Sequence, residues 1–557
     1  MKGISKNKRF KQGLLSGLLI SVFVLGFGGD LPWNGVAAGA STTETPSKSG
    51  VGIPKAVLML LLLDSKNPGT GSHASRFTAF DGTRTCLECH RSEAEQFHGS
   101  VHYQWKGDSS ESLGFGGEDA GKLGSLNDFC GYPDINWIGK LTNTYGVSVD
   151  AGCARCHVGL GAKPSKELTE DQLENIDCLV CHAQGYRRTV AQVEGTYRFV
   201  PDTGKMSVSL LQAAQDITLP SKGTCLNCHA KSGGGDNFKR GDLEEAHRDP
   251  SRNFDVHLAS EQEGGAGLSC LDCHVADNHR IAGRGTDLRP LDSTEEISCT
   301  RCHTGTPHEN DALDRHTARV NCTVCHIPVY AKIAPTDMER DWSMPGEFIP
   351  ATGLYEPYHL KESSVTPVYR FFNGLSHFYL FGDPAPEGLS VPIIMSEPDG
   401  DIHDVGARIH AFKQHWATLP ADPETGRLLP LKIGKFFETG DLETAVELGT
   451  TAVGWPYSGF VFAETERHMG LFHEVSPKEE ALSCSSCHVN SGRLDFSALG
   501  YDKNWSSQST CATGCHGSDK AEKWDLGSFD DFEAYHKKHV DDKGYGCREC
   551  HTFSAAE

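Results

Sequence analysis

A chain of 557 residues with a formal charge of −22 is a poor partner for nucleic acid, whose phosphates reward Lys and Arg. The hydrophobic fraction is only 38% and Gly numbers 61, so side chains alone make a thin core, yet aromatic residues are spread too evenly for disorder. The acidic balance favours basic protein partners and repels anions at long range, so any site for a small oxyanion has to be locally basic.

The chain starts with Lys2, Lys6, Lys8, Arg9 and Lys11, followed by an apolar run from Leu14 to Phe27 and small residues at Ala38 and Ala40. This order reads as a signal peptide over 1–40 and implies a periplasmic or extracellular protein; a retained anchor is the competing reading. Residues 41–83, rich in Gly, Ser, Thr and Pro, read as an N-terminal arm in which His73 is the one chemically notable side chain.

Cys86, Cys89 and His90 then open a series of ten related motifs. The others are Cys153, Cys156 and His157; Cys178, Cys181 and His182; Cys225, Cys228 and His229; Cys270, Cys273 and His274; and Cys299, Cys302 and His303. They continue with Cys322, Cys325 and His326; Cys484, Cys487 and His488; Cys511, Cys515 and His516, which has one extra residue; and Cys547, Cys550 and His551. Two thiols beside a His are the attachment site of c-type haem: the sulfurs add to the vinyl groups and the imidazole binds iron. Structural zinc also uses paired thiols, but it does not demand a His after every second Cys. The expectation is therefore ten covalently attached haem c groups, numbered here in chain order, inside a mainly α fold with extensive irregular loops. Of the 21 cysteines only Cys130 stands outside the motifs.

Ser92 to Glu95 has the capping-box pattern, predicting a helix through His98 and His102 that puts both imidazoles on one face. Between haems four and seven lie His247, His257, His279, His308 and His316, enough to supply sixth ligands to several irons. His102, His279, His316, His473 and His539 are the candidates chosen. Residues 327–483 contain no motif and read as an insert covering one side of the haem array. Ser476 to Glu479 predicts a helix leading into haem eight. Residues 501–557 read as an appended dihaem electron port, with Ser528 to Asp531 starting a helix that carries His536 and His539.

Several strings carry a resemblance. They are Ser100 to Trp105, Asn127 to Cys130, Asp177 to His182, His316 to Pro328, Pro335 to Ser343, Pro367 to Gly374, Val475 to Cys484 and Gly492 to Phe496. Over residues 84–500 the chain resembles the octahaem tetrathionate reductase family, related to hydroxylamine oxidoreductase. That resemblance implies an active site at the second haem, with Lys163 rather than a His opposite His157 on the iron, and with Cys130 nearby. Leu160 and Ala162 replace aromatic residues of the family pattern, Asp128 replaces an amide, and the two C-terminal haems lie outside it.

The function implied is reduction of a small sulfur or nitrogen oxyanion of the tetrathionate, nitrite or hydroxylamine class. Arg155 and Arg187 or Arg188 are candidates for local positive charge. The alternative is a non-catalytic electron carrier. Expected partners are quinol-linked proteins or small cytochromes, and the oligomeric state is left open.

Overall fold

The computed structural model describes residues 73–114, 119–129, 131–283, 291–344, 346–487, 492–501 and 537–543. The expected signal peptide, Cys130, His488, the expected helix after Ser528 and both C-terminal motifs lie outside the described residues.

Helix α1 (Thr83–His98) carries the first motif and buries Leu87 and Ala94 against Leu173 and Ile176. It starts earlier than the capping-box pattern at Ser92 predicts, and it stops at Gly99. Ser100 then caps a separate turn, Val101–Gln104, by accepting the Tyr103 N–H at 3.4 Å. His98 and His102 therefore sit on two helices rather than on one face. The break frees His102 to point elsewhere.

The expectation of a mainly α chain does not hold. Among the described α-helices only α1 and Leu442–Ala452 exceed eight residues. Several attachment segments, such as Cys153–Cys156 and Cys299–Arg301, are single tight turns. One turn is enough to bring two thiols to the same side, so nothing in the motif asks for a longer helix. The helix predicted at Ser476 is likewise reduced to a short turn, Lys478–Glu480.

The insert builds the largest regular element because it has no haem motif and must supply its own apolar core. Its strands are β2 (Thr336–Asp341), β3 (Tyr358–Glu362), β4 (Val368–Phe372), β5 (Ser376–Phe378), β6 (Ile393–Pro398), β7 (Arg408–Ala421) and β8 (Val461–Gly470). With β1 (Ser112–Leu113) they form a sheet ordered β3-β2-β7-β8-β6-β5-β1, in which β4 also pairs with β7. Along one edge β7 pairs first with β4, Val368 opposite Phe412, and then with β2, Glu339 opposite Trp416. Its other edge pairs with β8 from Phe412 to Ala421. β7 is thus central, and it is buried along almost its whole length.

Two helices, α2 (Ile433–Thr439) and α3 (Leu442–Ala452), cover the end of β7. Phe436, Ala445 and Val446 pack with Trp342, Ile393, Ala417, Leu419 and Ala463. Gly440 joins the helices at φ 71, where a Cβ would also meet the Tyr355 ring at 2.8 Å; both facts require glycine. Near the start of β7, Ile409 and Ala411 pack with Phe371 and with Val324 and Ile327 of the haem-seven segment. The sheet is therefore fixed to the haem-binding part through side chains rather than merely lying over it.

Candidate haem array and substrate site

The motif histidines face other imidazoles. A metal–imidazole bond is about 2 Å and the nitrogen lies about 1 Å from the ring centre, so two rings on opposite sides of one iron have centres about 6 Å apart. That spacing recurs at His73 and His90 (6.1 Å), His102 and His229 (6.1 Å), and His182 and His279 (6.5 Å). It recurs again at His257 and His303 (6.1 Å), His274 and His473 (6.1 Å), and His308 and His326 (6.2 Å). The residues fit haem on this test, and each pair leaves room for one iron.

Outer contacts aim several of these rings. His182 Nδ1 lies 2.8 Å from the Thr218 carbonyl, and His274 Nδ1 2.8 Å from the Ala282 carbonyl. His308 Nδ1 lies 2.8 Å from Asp314, and His473 Nδ1 3.1 Å from Asp242. In each case the Nδ1 contact leaves Nε2 for the metal.

Of the sixth-ligand candidates, His102, His279 and His473 are brought opposite a motif histidine. His316 is exposed at the end of the Asp311–His316 helix, and His539 is buried in the short segment 537–543. His73, His257 and His308 fill the same position without having been chosen. Their only sequence signal was the presence of His near the motifs.

Thiols of different motifs also meet. The free thiols of Cys86 and Cys178, Cys156 and Cys228, Cys225 and Cys270, and Cys299 and Cys322 lie close enough to influence one another. The first and third, second and fourth, fourth and fifth, and sixth and seventh motifs therefore adjoin in pairs.

His157 has different surroundings. Its nearest rings are Trp137 at 5.0 Å, Tyr103 at 5.2 Å and Trp105 at 5.7 Å, and its Nε2 lies 2.6 Å from the Tyr103 carbonyl. Burial pushes it down to about 4, which keeps the ring in the neutral form that binds iron. The Lys163 ammonium donates to the Asp134 carbonyl at 2.8 Å and to its carboxylate at 3.2 Å, and it is partly exposed. Arg188 is not free for a substrate: it donates to the carbonyls of Arg155, His157 and Gly159 and to the Asp177 carboxylate. Arg187 is spent on the carbonyls of Gln184 and Tyr186, and Arg155 is exposed.

A strap, residues 127–137 without Cys130, ties the haem-two loop to the sheet. At one end the carbonyls of Asn136 and Trp137 accept the N–H groups of Cys153 and Ala154. At the other end Asn127 and Gly131 exchange backbone hydrogen bonds of 2.9 and 2.7 Å, and Asp128 reaches the sheet. Its carboxylate takes Arg467 Nε at 2.8 Å and lies 3.0 Å from His415 Nδ1. Burial alone would raise Asp128, but Arg467 and His415 outweigh it and hold the carboxyl below the usual range.

Next to it, Phe129 is fully buried and stacked on His415 with ring centres 4.0 Å apart. Three cations surround its ring: Arg340 at 5.3 Å, Lys413 at 5.6 Å and Lys239 at 6.0 Å. Arg340 is held by Asp337, and Lys413 donates to the carbonyls of Phe238 and Lys239 and to Thr336 Oγ1. Burial pushes Lys413 down to about 7. With Arg467, four cations stand against the carboxylates of Asp128 and Asp337, making a locally basic region in an acidic protein.

Attachment motifs, opposed imidazoles and this fold together define a multihaem c-type cytochrome with a redox function. Residues 358–491 match the family model described as bacterial cytochrome c. An uncharacterized protein of Archaeoglobus fulgidus is 33% identical over 248 residues, covering 38% of this chain and 78% of that protein, and the chain belongs to its family. The crystal structure of octaheme cytochrome c from Shewanella oneidensis superposes with a TM-score of 0.62 at 28% identity, covering 79% of this chain and 96% of that one.

Proposed function

We propose that this chain is an exported decahaem cytochrome that reduces a small sulfur or nitrogen oxyanion beside the haem held by Cys153 and Cys156. The observation carrying this reading is the buried basic region around Phe129, joined by the 127–137 strap to the loop of that haem. The haems, when bound, supply electrons. The chain's own residues would favour the anion through the field of Arg340, Lys239 and Lys413, with the hydrogen bonds of Arg340 and Lys413 made within the protein, and would exclude water around Phe129, features that preorganise a site for developing negative charge. Cys130 borders this region in sequence, and Lys163 is proposed as the residue facing the second haem. The acidic exterior and the C-terminal motifs suit exchange with basic redox proteins.

Pure electron transfer is the second reading. It is favoured by the engagement of Lys163 with Asp134 and by the six facing His pairs, which would saturate their irons.

Turnover assays of wild type and Lys163→Ala with tetrathionate, nitrite and hydroxylamine decide between the two, alongside low-temperature EPR of the oxidised protein. The reductase reading expects turnover, one haem distinct from the bis-His set, and loss of both in Lys163→Ala. Absence of turnover with only bis-His signals would leave the carrier. Intact mass of the mature protein should show ten haems.

A further inference from the structure

Four side chains lead from solvent to the basic region. Glu356, with its side chain 40% exposed, lies 3.1 Å from His359 Nε2. His359 Nδ1 lies 3.4 Å from Asp337 Oδ2, and the other Asp337 oxygen lies 3.7 Å from His415 Nε2. His415 Nδ1 then meets Asp128 at 3.0 Å. Both histidines therefore use one ring nitrogen toward the outside and the other toward the inside, the arrangement by which an imidazole takes a proton on one atom and releases another from the opposite atom.

The inner step has its own mark. Asp337 Oδ1 and His415 Nε2 are buried and have no hydrogen-bond partner, and they face each other across 3.7 Å. Two such groups are costly to leave unpaired, so a movement of less than 1 Å that joins them is favoured. Around the line stand Lys361 beside Glu356, Arg340 beside Asp337, and Arg467 and Lys239 beside Asp128, with Lys413 near both aspartates. These cations keep the carboxylates ionised at rest, ready to accept. Asp337 takes the proton from His359 on one oxygen and yields it to His415 from the other, so its carboxyl is protonated only in passage.

We propose that Glu356, His359, Asp337 and His415 form a proton line to the substrate region, and that the substrate is therefore a proton-consuming nitrogen compound, nitrite or hydroxylamine, rather than tetrathionate. This rests on the reductase reading. With electrons from the protein redox partner, nitrite takes six electrons and eight protons: both N–O bonds break, four N–H bonds form, and ammonium and two waters leave. Hydroxylamine takes two electrons and three protons, its N–O bond breaks, and ammonium and one water leave. Tetrathionate takes two electrons, its central S–S bond breaks, and two thiosulfate dianions leave with no proton consumed. A line built to deliver protons serves the first two reactions and is idle in the third.

The test uses full-length, haem-loaded protein. His359→Gln and the milder Glu356→Gln should lower the rate with nitrite or hydroxylamine about tenfold or more, at the low end of what a positioned acid–base group contributes. The loss should deepen as pH rises and be partly rescued by added imidazole. Proton uptake, followed with a pH dye during a single turnover, should lag in the variants, while haem content and visible spectra match wild type. Wild type that turns over nitrite or hydroxylamine, with neither variant slowed, would overturn the line while leaving the reductase reading in place. Wild type active on tetrathionate alone would overturn the substrate assignment. A wild type inert toward all three would remove the reductase reading and the line with it.

Discussion

The imidazole of His473 lies nearly parallel to that of His274, with ring centres 6.1 Å apart and planes 20° from each other. His473 belongs to the insert and His274 to the fifth motif, so the insert brings an imidazole face to face with a motif histidine. His473→Ala should convert one low-spin haem to high spin in EPR and leave the other bis-His signals intact. Asp242 accepts from His473 Nδ1 at 3.1 Å, which makes the ring a stronger donor to iron. Asp242→Asn should keep the low-spin signal and raise the potential of that haem, measured by spectroelectrochemistry. No change in either variant would reassign the pair, for instance to His247, which stands edge-on to His473 at 6.2 Å.

Lys413 gives the fold a pH dependence with a definite sign. Unfolded, a lysine keeps its proton to about pH 10; buried in the fold, Lys413 is pushed down to about 7. Between these values the unfolded chain binds more protons, so stability rises with pH across that window. Below about 7 both states are protonated and burial of the charge carries its full cost. Lys413→Met should flatten the rise, read as the dependence of Tm on pH. In wild type the KM for an anionic substrate should climb as pH passes about 7 and Lys413 loses its charge. Lys413→Met should remove that climb.

The C-terminal motifs follow the octahaem-like part after a short link, so truncation after Gly500 should leave turnover with a small artificial donor. Electron exchange with a protein partner should slow. In the full chain that exchange should also weaken as salt rises, because attraction between opposite surfaces is screened. Equal loss with both donors would show that residues 501–557 help to build the active site.

The attachment sites were legible because each is complete within a few adjoining residues. Which imidazole faces which motif was not: His473 and His102 stood among the candidates, but His473 lies far along the chain from His274, and His102 is separated from His229 by two other motifs. Counting histidines showed that enough were present, but only the fold pairs them. The sheet was hidden for a related reason. β7 is buried on both faces and carries His410, Lys413 and His415 in its interior, so it lacks the alternation of a half-buried strand. The need for a locally basic site was readable from net charge. The residues that meet it, Arg340, Lys413 and Arg467, come from three strands and had no local signature.

Arg188 was one of several candidates for local positive charge, beside the reading of an ordinary surface arginine, and its geometry assigns it a different role. It donates to the carbonyls of Gly159 at 3.0 Å, Arg155 at 3.0 Å and His157 at 2.8 Å, and it packs over the Phe199 ring at 4.1 Å. Its remaining bond, 3.1 Å to Asp177, neutralises a buried carboxylate directly before the third motif. Burial raises Asp177 above the usual carboxylate range even with Arg188 opposing it. Arg188→Ala should therefore cost about 3–5 kcal/mol, the range for removing one partner of a buried pair. Denaturant unfolding of the haem-loaded protein measures this. Adding Asp177→Asn should recover part of the loss, since the orphaned charge is then gone. It should not restore the spectrum of the second haem, because the three carbonyls that fix the His157 loop still lack their donor. A double variant that regains the wild-type EPR signal would show that Arg188 acts only through Asp177.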